Sequence, residues 1–141
     1  MTPTHCTLCH PVDEDVLFAN DLYRVIAVGG DEGKRYRGFC RVVWNAHVRE
    51  MSDLSIESRD TLMHAVYRVE SALRLSLNPD KINLASLGNM TPHLHWHVIP
   101  RFQDDATFPK PIWVETNRAV LATLDDAVDW QAAVQKAFQS T

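Results

Sequence analysis

Apolar and polar positions change their spacing several times along the chain, and each change predicts an element. Val16-Leu17-Phe18 and the run at residues 23–28 are short extended stretches on either side of the turn-prone Asn20-Asp21, which predicts a hairpin. Gly29-Gly30-Asp31-Glu32-Gly33-Lys34-Arg35 predicts a flexible polar loop. Residues 39–44, rich in Val and aromatic side chains, predict a third strand. The period then lengthens. Leu62, Val66, Val69, Leu73 and Leu77 recur at three- and four-residue intervals, one face of a helix that Ser55 can cap, Glu57 suits at its positive end and Asn78-Pro79 stops. Residues 81–87 predict a fourth strand, 88–92 a tight turn and 93–99 a fifth strand. Loop signals fill 103–111, and a second helix is expected from about Asp125 to Phe138. The sum is an α+β fold: a mainly antiparallel five-stranded sheet with a long helix after the third strand and a C-terminal helix. Internal repeats, linkers and low-complexity segments are absent from the sequence.

The fifth strand carries the chemistry. It reads His93-Leu94-His95-Trp96-His97-Val98-Ile99, with histidine at every second position. Extended backbone sends alternate side chains to opposite faces, so the three imidazoles share one face and Leu94, Trp96 and Val98 the other. A helix would scatter them around its axis. Three neutral imidazoles each need a hydrogen-bond partner and repel one another once protonated, which makes them poor core filling and good site material.

Composition narrows the partners. With 141 residues and 45% hydrophobic content the chain reads as a single domain with a real core. A net charge of −4 argues against holding nucleic acid by counterion release and leaves room for a local phosphate pocket, so the expected partner is a small molecule. No apolar run approaches the ~20 residues of a membrane span. With five residues ahead of Cys6, no signal peptide is expected and the reading is of a cytoplasmic protein. Cys6, Cys9 and Cys40 should then stay reduced, with Cys40 a core thiol.

Cys6-Thr7-Leu8-Cys9 fits a zinc half-site, a redox pair or, with His10, a haem attachment sequence. Haem attachment needs export, and a thioredoxin-like pair needs a strand-then-helix context missing here. Zinc is the favoured reading, and its tetrahedral shell asks for two histidines from elsewhere in the chain.

The triad run, its preceding Gly88 loop and the Pro100-Arg101 that follows resemble the histidine triad (HIT) superfamily of nucleotide hydrolases and transferases. The resemblance spans residues 6–101 and leaves 102–141 as a C-terminal extension. It implies that His95 attacks the α-phosphorus of a nucleotide and forms a covalent nucleotidyl intermediate, with His97 orienting it or assisting the leaving group. It implies a structural zinc held by Cys6, Cys9, His93 and His47, with His5 and His10 as substitutes for His47. By position it places Asp31 on the ribose hydroxyls, Gly88 and Asn89 on the α-phosphate, and Asn83, Thr91 and His97 among the nucleotide contacts. Met90 stands where many relatives carry a hydroxyl, and Trp44-Asn45-Ala46-His47 stands where they often end the third strand in Pro-Lys-x-His, which removes a cation and keeps the histidine. Trp113 either closes the site or packs as an ordinary aromatic. A homodimer joined through the long helix and a central strand is also implied.

The expected activity is hydrolysis of a nucleoside phosphoramidate or dinucleoside polyphosphate. A nucleotidyl transferase using the same intermediate is the near alternative. A zinc hydrolase with all three histidines on a catalytic metal, and a nucleotide-binding module without turnover, are the two more distant ones.

Overall fold

The computed structural model describes residues 5–116 and 128–139. Its elements in chain order are β1 (Asp15–Ala19), β2 (Tyr23–Ala27), α1 (Gly30–Arg35), β3 (Cys40–Trp44), α2 (Ile56–Leu77), β4 (Lys81–Ala85), β5 (His95–Arg101) and α3 (Trp130–Ala137), with a 3-10 turn at Met51–Asp53. The strands form one antiparallel sheet in the order β1-β2-β3-β5-β4. The first three strands pair with sequence neighbours, and β5 then inserts between β3 and β4. The expected five-stranded α+β architecture, with its long helix after the third strand, is the observed one.

One face of the sheet is closed by helices. Leu62, Val66, Val69 and Leu73 of α2 are fully buried in a core with Val25, Val42 and Val98 of the sheet and Leu94 just ahead of β5, a core that also takes in Val134 and Phe138 from the C-terminal helix region. Each such side chain contributes roughly 1.5–3 kcal/mol by leaving water. The ends of α2 are set by the predicted residues. Ser55 Oγ accepts from Ser58 N–H at 3.1 Å, and Asn78 closes the helix in the left-handed conformation at φ 48°. Gly38, at φ +81°, lies so close under the last turn that an added Cβ would meet Leu77 Cδ1 at 2.6 Å. No other residue lets α2 settle onto the start of β3 there.

Three boundaries differ from expectation. Residues 30–35 form a short helix rather than a flexible loop, because Asp31 and Glu32 sit in its first turn and Lys34 and Arg35 in its last, the arrangement that complements a helix dipole. The fifth strand begins at His95, not His93. His93 sits at a bend just ahead of it, its side chain turned toward the N-terminal segment. The fourth strand ends at Ala85 instead of continuing to residue 87, and Ser86 Oγ instead donates to the His95 carbonyl at 2.7 Å. The C-terminal helix is described from Trp130, and the expected residues 125–127 lie outside the described segment. No described helix is long and apolar enough to cross a membrane.

The other face is covered in part by α1 and by the segment after β5. That segment is anchored through Arg101, which is 2% exposed. Its guanidinium donates to Asp105 Oδ2 at 2.8 Å and Oδ1 at 3.1 Å, to Asn83 Oδ1 at 2.9 Å and to the Lys110 carbonyl at 2.7 Å. Burial alone would raise the Asp105 carboxyl above its usual range. The Arg101 hydrogen bond and the N–H groups of Thr107, Phe102 and Phe108 outweigh it, so the carboxyl is held below that range.

A depressed carboxylate stabilises the fold above its unfolded-state pKa and loses that contribution as pH falls through the folded value. Asp105→Asn should therefore destabilise the protein by about 3–5 kcal/mol at pH 7, as breaking a buried ion pair does. The deficit relative to wild type should shrink below about pH 4, near the ordinary range of an aspartate. Urea melts at both pH values would read it, and equal deficits at pH 7 and pH 3 would contradict the assignment.

Candidate functional site

The alternation in β5 divides its side chains as the spacing predicts. Trp96 and Val98 face the helix-covered core, while His95, His97 and Ile99 face the opposite side, where Ile99 packs with Tyr36, Phe39 and Ile112. Register then adds neighbours that spacing cannot show. Across β3, Val43 pairs with His95 and Arg41 with His97. Across β4, Ala85 pairs with His97 and Asn83 with Ile99. Directly paired residues share a face, so Arg41 and Asn83 join the histidine side.

His95 is 7% exposed, and its Nδ1–H donates to the carbonyl oxygen of His93 at 2.6 Å. A carbonyl can only accept, so the proton is fixed on Nδ1 and the Nε2 lone pair is left for another partner. Burial lowers the imidazole pKa below the usual range, partly offset by that hydrogen bond, with Arg41 pushing further in the same direction as burial. The ring of His97 meets that of His95 edge-on at 4.9 Å and the indole of Trp113 at 4.9 Å, with Phe39 at 5.7 Å. Burial, His95 and Arg41 together lower His97 to about 3, so it is neutral at physiological pH. Arg41 Nε–H donates to its Nδ1 at 3.5 Å, a long bond that leaves the His97 proton on Nε2. The two histidines thus carry opposite tautomers: one offers a lone pair at Nε2, the other a proton.

His93 belongs to a second cluster. Its Nε2–H donates to the Trp44 carbonyl at 2.6 Å, which turns Nδ1 toward Cys6 Sγ at 3.3 Å, Cys9 Sγ at 3.4 Å and His47 Nδ1 at 3.2 Å. Cys9 Sγ lies 3.3 Å from His47 Nδ1, and all four donor atoms lie within 4.8 Å of one another. A tetrahedral ion with sulfur and nitrogen donors at roughly 2.0–2.3 Å needs donor separations of about 3.3–3.8 Å, so this set can hold one metal ion. The carbonyl-oriented imidazole of His93 is also what metal ligation calls for. Burial and Cys6 push the Cys9 thiol above its ordinary range, and the positive charge of Arg24 counters them in part. Arg24 also braces the cluster mechanically. It grips Glu14 at 2.7 and 2.9 Å, the Leu8 carbonyl at 2.8 Å between the two cysteines, and Asn45 Oδ1 at 3.2 Å two residues before His47.

The remaining predicted residues are placed as follows. His5 and His10 stay out of the metal cluster. Gly88, at φ +80°, shapes the loop that leads into the triad, and Asn89 and Met90 on that loop are exposed, Met90 at 97%. The Thr91 carbonyl accepts from His93 N–H at 2.8 Å. The Asn83 amide oxygen is engaged by Arg101. Asp31 is exposed on the first turn of α1, whereas its neighbour Glu32 reaches Arg41 at 3.4 Å. Arg41 and Glu32 were not among the residues singled out from sequence. The alternation of β3 put Arg41 on the face opposite Val42, but its pairing with His97 is a matter of register between strands more than 50 residues apart.

The HIT domain family matches residues 11–104, a stretch that contains the whole triad and begins just after Cys9. The chain belongs to the HIT domain family. Among solved structures, a histidine triad protein from Bradyrhizobium japonicum is 26% identical over 89% of this chain and 90% of its own, with a TM-score of 0.72. One from Marinobacter aquaeolei is 26% identical over 90% and 87%, at 0.66. A hypothetical histidine triad nucleotide-binding protein from Sulfolobus tokodaii shares the fold at 16% identity over 95% and 92%, at 0.63. No curated protein matches the chain. In this HIT protein the two cysteines lie outside the matched segment, so the metal cluster joins the family domain to the residues ahead of it.

Cys9→Ser and His47→Ala should each lower bound metal from about one ion per chain to well below that, since each removes one of four ligands. Elemental analysis of the purified variants measures it. Full metal content in both would show that these atoms do not hold the ion.

Proposed function

We propose that this HIT protein is a nucleotide hydrolase that cleaves at the α-phosphate through a nucleotidyl-His95 intermediate. The single observation that carries the reading is the 2.6 Å bond from His95 Nδ1–H to the His93 carbonyl, which presents a neutral imidazole with its Nε2 lone pair uncommitted. In the first step Nε2 attacks the α-phosphorus. The phosphorus–nitrogen bond forms as the bond to the leaving group breaks, and the leaving group takes that electron pair. In the second step water attacks the same phosphorus and gives up a proton to solvent, the Nε2 bond breaks with its electron pair returning to the imidazole, and a nucleoside monophosphate is released.

His97, with its proton on Nε2, donates a hydrogen bond to the phosphate oxygens, where charge accumulates in both transition states. Gly88, Asn89 and Thr91 supply backbone and side-chain groups on the loop beside His95. Asp31 and Asn83 are the proposed contacts to the nucleoside, with Trp113 as a cover over His97. The substrate classes the site suits are nucleoside phosphoramidates and dinucleoside polyphosphates.

The metal proposed for Cys6, Cys9, His47 and His93 is zinc in a structural role. When bound, it fixes the N-terminal segment to the residue whose carbonyl orients His95. Leu84 and Leu87, exposed at and just beyond edge strand β4, and Tyr67 and Leu75, exposed on α2, support a homodimer. Light scattering at micromolar concentration should give twice the 16.0 kDa chain mass, and a monomer would argue against the dimer.

His95→Ala should lower turnover of a diadenosine polyphosphate by about 10³-fold or more, the scale of losing a covalent nucleophile. It should also abolish the nucleotidyl adduct seen by intact-protein mass spectrometry after rapid quench of wild type. Retained turnover in that variant would remove the mechanism.

A further inference from the structure

Three arginines sit on the histidine side of the sheet, and their surroundings differ. Arg24 is 12% exposed in its side chain and Arg101 2%, each held by a carboxylate at 2.7–2.8 Å and by further acceptors. Both are committed to joining segments of the fold. Arg41 is 29% exposed, and its carboxylate partner, Glu32, is 42% exposed and stands 3.4 Å away. Its guanidinium rests over the Phe39 ring at 5.5 Å and reaches His97 Nδ1 at 3.5 Å. A long, solvent-facing ion pair of this kind contributes little to stability, so exchanging Glu32 for another anion costs little.

Arg41 also lines a cleft of about 350 Å³ shared with Leu8, Pro11, Ile26, Val28 and Gly29. The same cleft is also lined by Asp13, Glu14 and Asp15, which repel phosphate. Arg41 is the arginine of that cleft, and it is the group there that reaches the triad and can accept an anion. From His95 the order of groups is nucleophile, His97 as proton donor, then a guanidinium fork directly beyond it.

We infer that Arg41 recognises the leaving group, and that the preferred substrate is a nucleotide whose leaving group is itself a phosphate chain rather than an amine. This rests on the hydrolase reading above. A phosphate leaving group bears negative charge as it departs, which a guanidinium holds by paired, charge-assisted hydrogen bonds. An amine leaving group gives it nothing to hold.

The test compares two substrates with one nucleoside, diadenosine tetraphosphate and adenosine 5′-phosphoramidate, and reads the ratio of their kcat/KM values. Any part Arg41 plays in holding His97 affects both substrates and cancels in that ratio. Wild type should favour the tetraphosphate, and Arg41→Gln should lower the ratio by about 10- to 100-fold, the worth of a hydrogen bond to a charged group. Arg41→Lys should restore part of it. Glu32→Gln, which removes the competing carboxylate, should raise the ratio, a gain that a folding defect would not produce. An unchanged ratio in Arg41→Gln, or a wild-type preference for the phosphoramidate, overturns the inference. If wild type turns over neither substrate, the hydrolase reading fails separately. Calorimetric binding of adenosine tetraphosphate against adenosine monophosphate then decides: selective loss of tetraphosphate affinity in Arg41→Gln upholds the role of Arg41, and equal affinities end it.

Discussion

The hydrogen bond from His95 Nδ1–H to the carbonyl of His93 is the point on which the rest of the site depends. It fixes a tautomer, and it ties that tautomer to the position of a neighbouring peptide group. That peptide belongs to His93, whose own ring is locked between the Trp44 carbonyl and the sulfur and nitrogen donors of the N-terminal cluster. Geometry set at the cluster is thereby passed through one residue of backbone to the His95 imidazole. This is why His93 leaves the strand. A residue that continued the ladder would point its ring along the sheet face and could not also reach Cys6 and Cys9.

Much of this was legible in sequence because it depends on local periodicity. The two-residue alternation of 93–99 placed His95 and His97 on one face, and the stripe from Leu62 to Leu77, with Ser55 and Asn78 at its ends, defined α2 closely. The four metal-cluster residues were also identified, through a resemblance and the demand of a half-site for completion. The helix at Gly30–Arg35 was hidden because six residues with two glycines carry no periodic signal, and their order comes from charge at the helix ends. Strand register was hidden too. Nothing local distinguishes Arg41, which faces His97, from Arg101, which is buried in hydrogen bonds to Asp105 and Lys110.

These contrasts show how one residue type serves different ends. A guanidinium has five donors in a planar fork, and how many are consumed by the fold decides what remains for a ligand. Arg101 fills its fork with carboxylate, amide and carbonyl oxygens and fastens the C-terminal segment to the sheet. That fastening brings Trp113 against His97, so the ring contact between them depends on a buried ion pair.

The position of β5 between β3 and β4 has a consequence for variation within such a scaffold. An interior strand is held by ladders on both sides, so His97 cannot shift without breaking two sets of backbone hydrogen bonds at once, while His95 is paired with β3 and held on its other side by the Ser86 hydroxyl. The segments that lead to the rings beside His97, from Gly29 to Phe39 and from Phe102 to Trp113, have no such double restraint. Insertions and exchanges there can redraw what the protein recognises while His95 and His97 keep their geometry. The same sheet can therefore support proteins that differ in preference and share one arrangement of histidines.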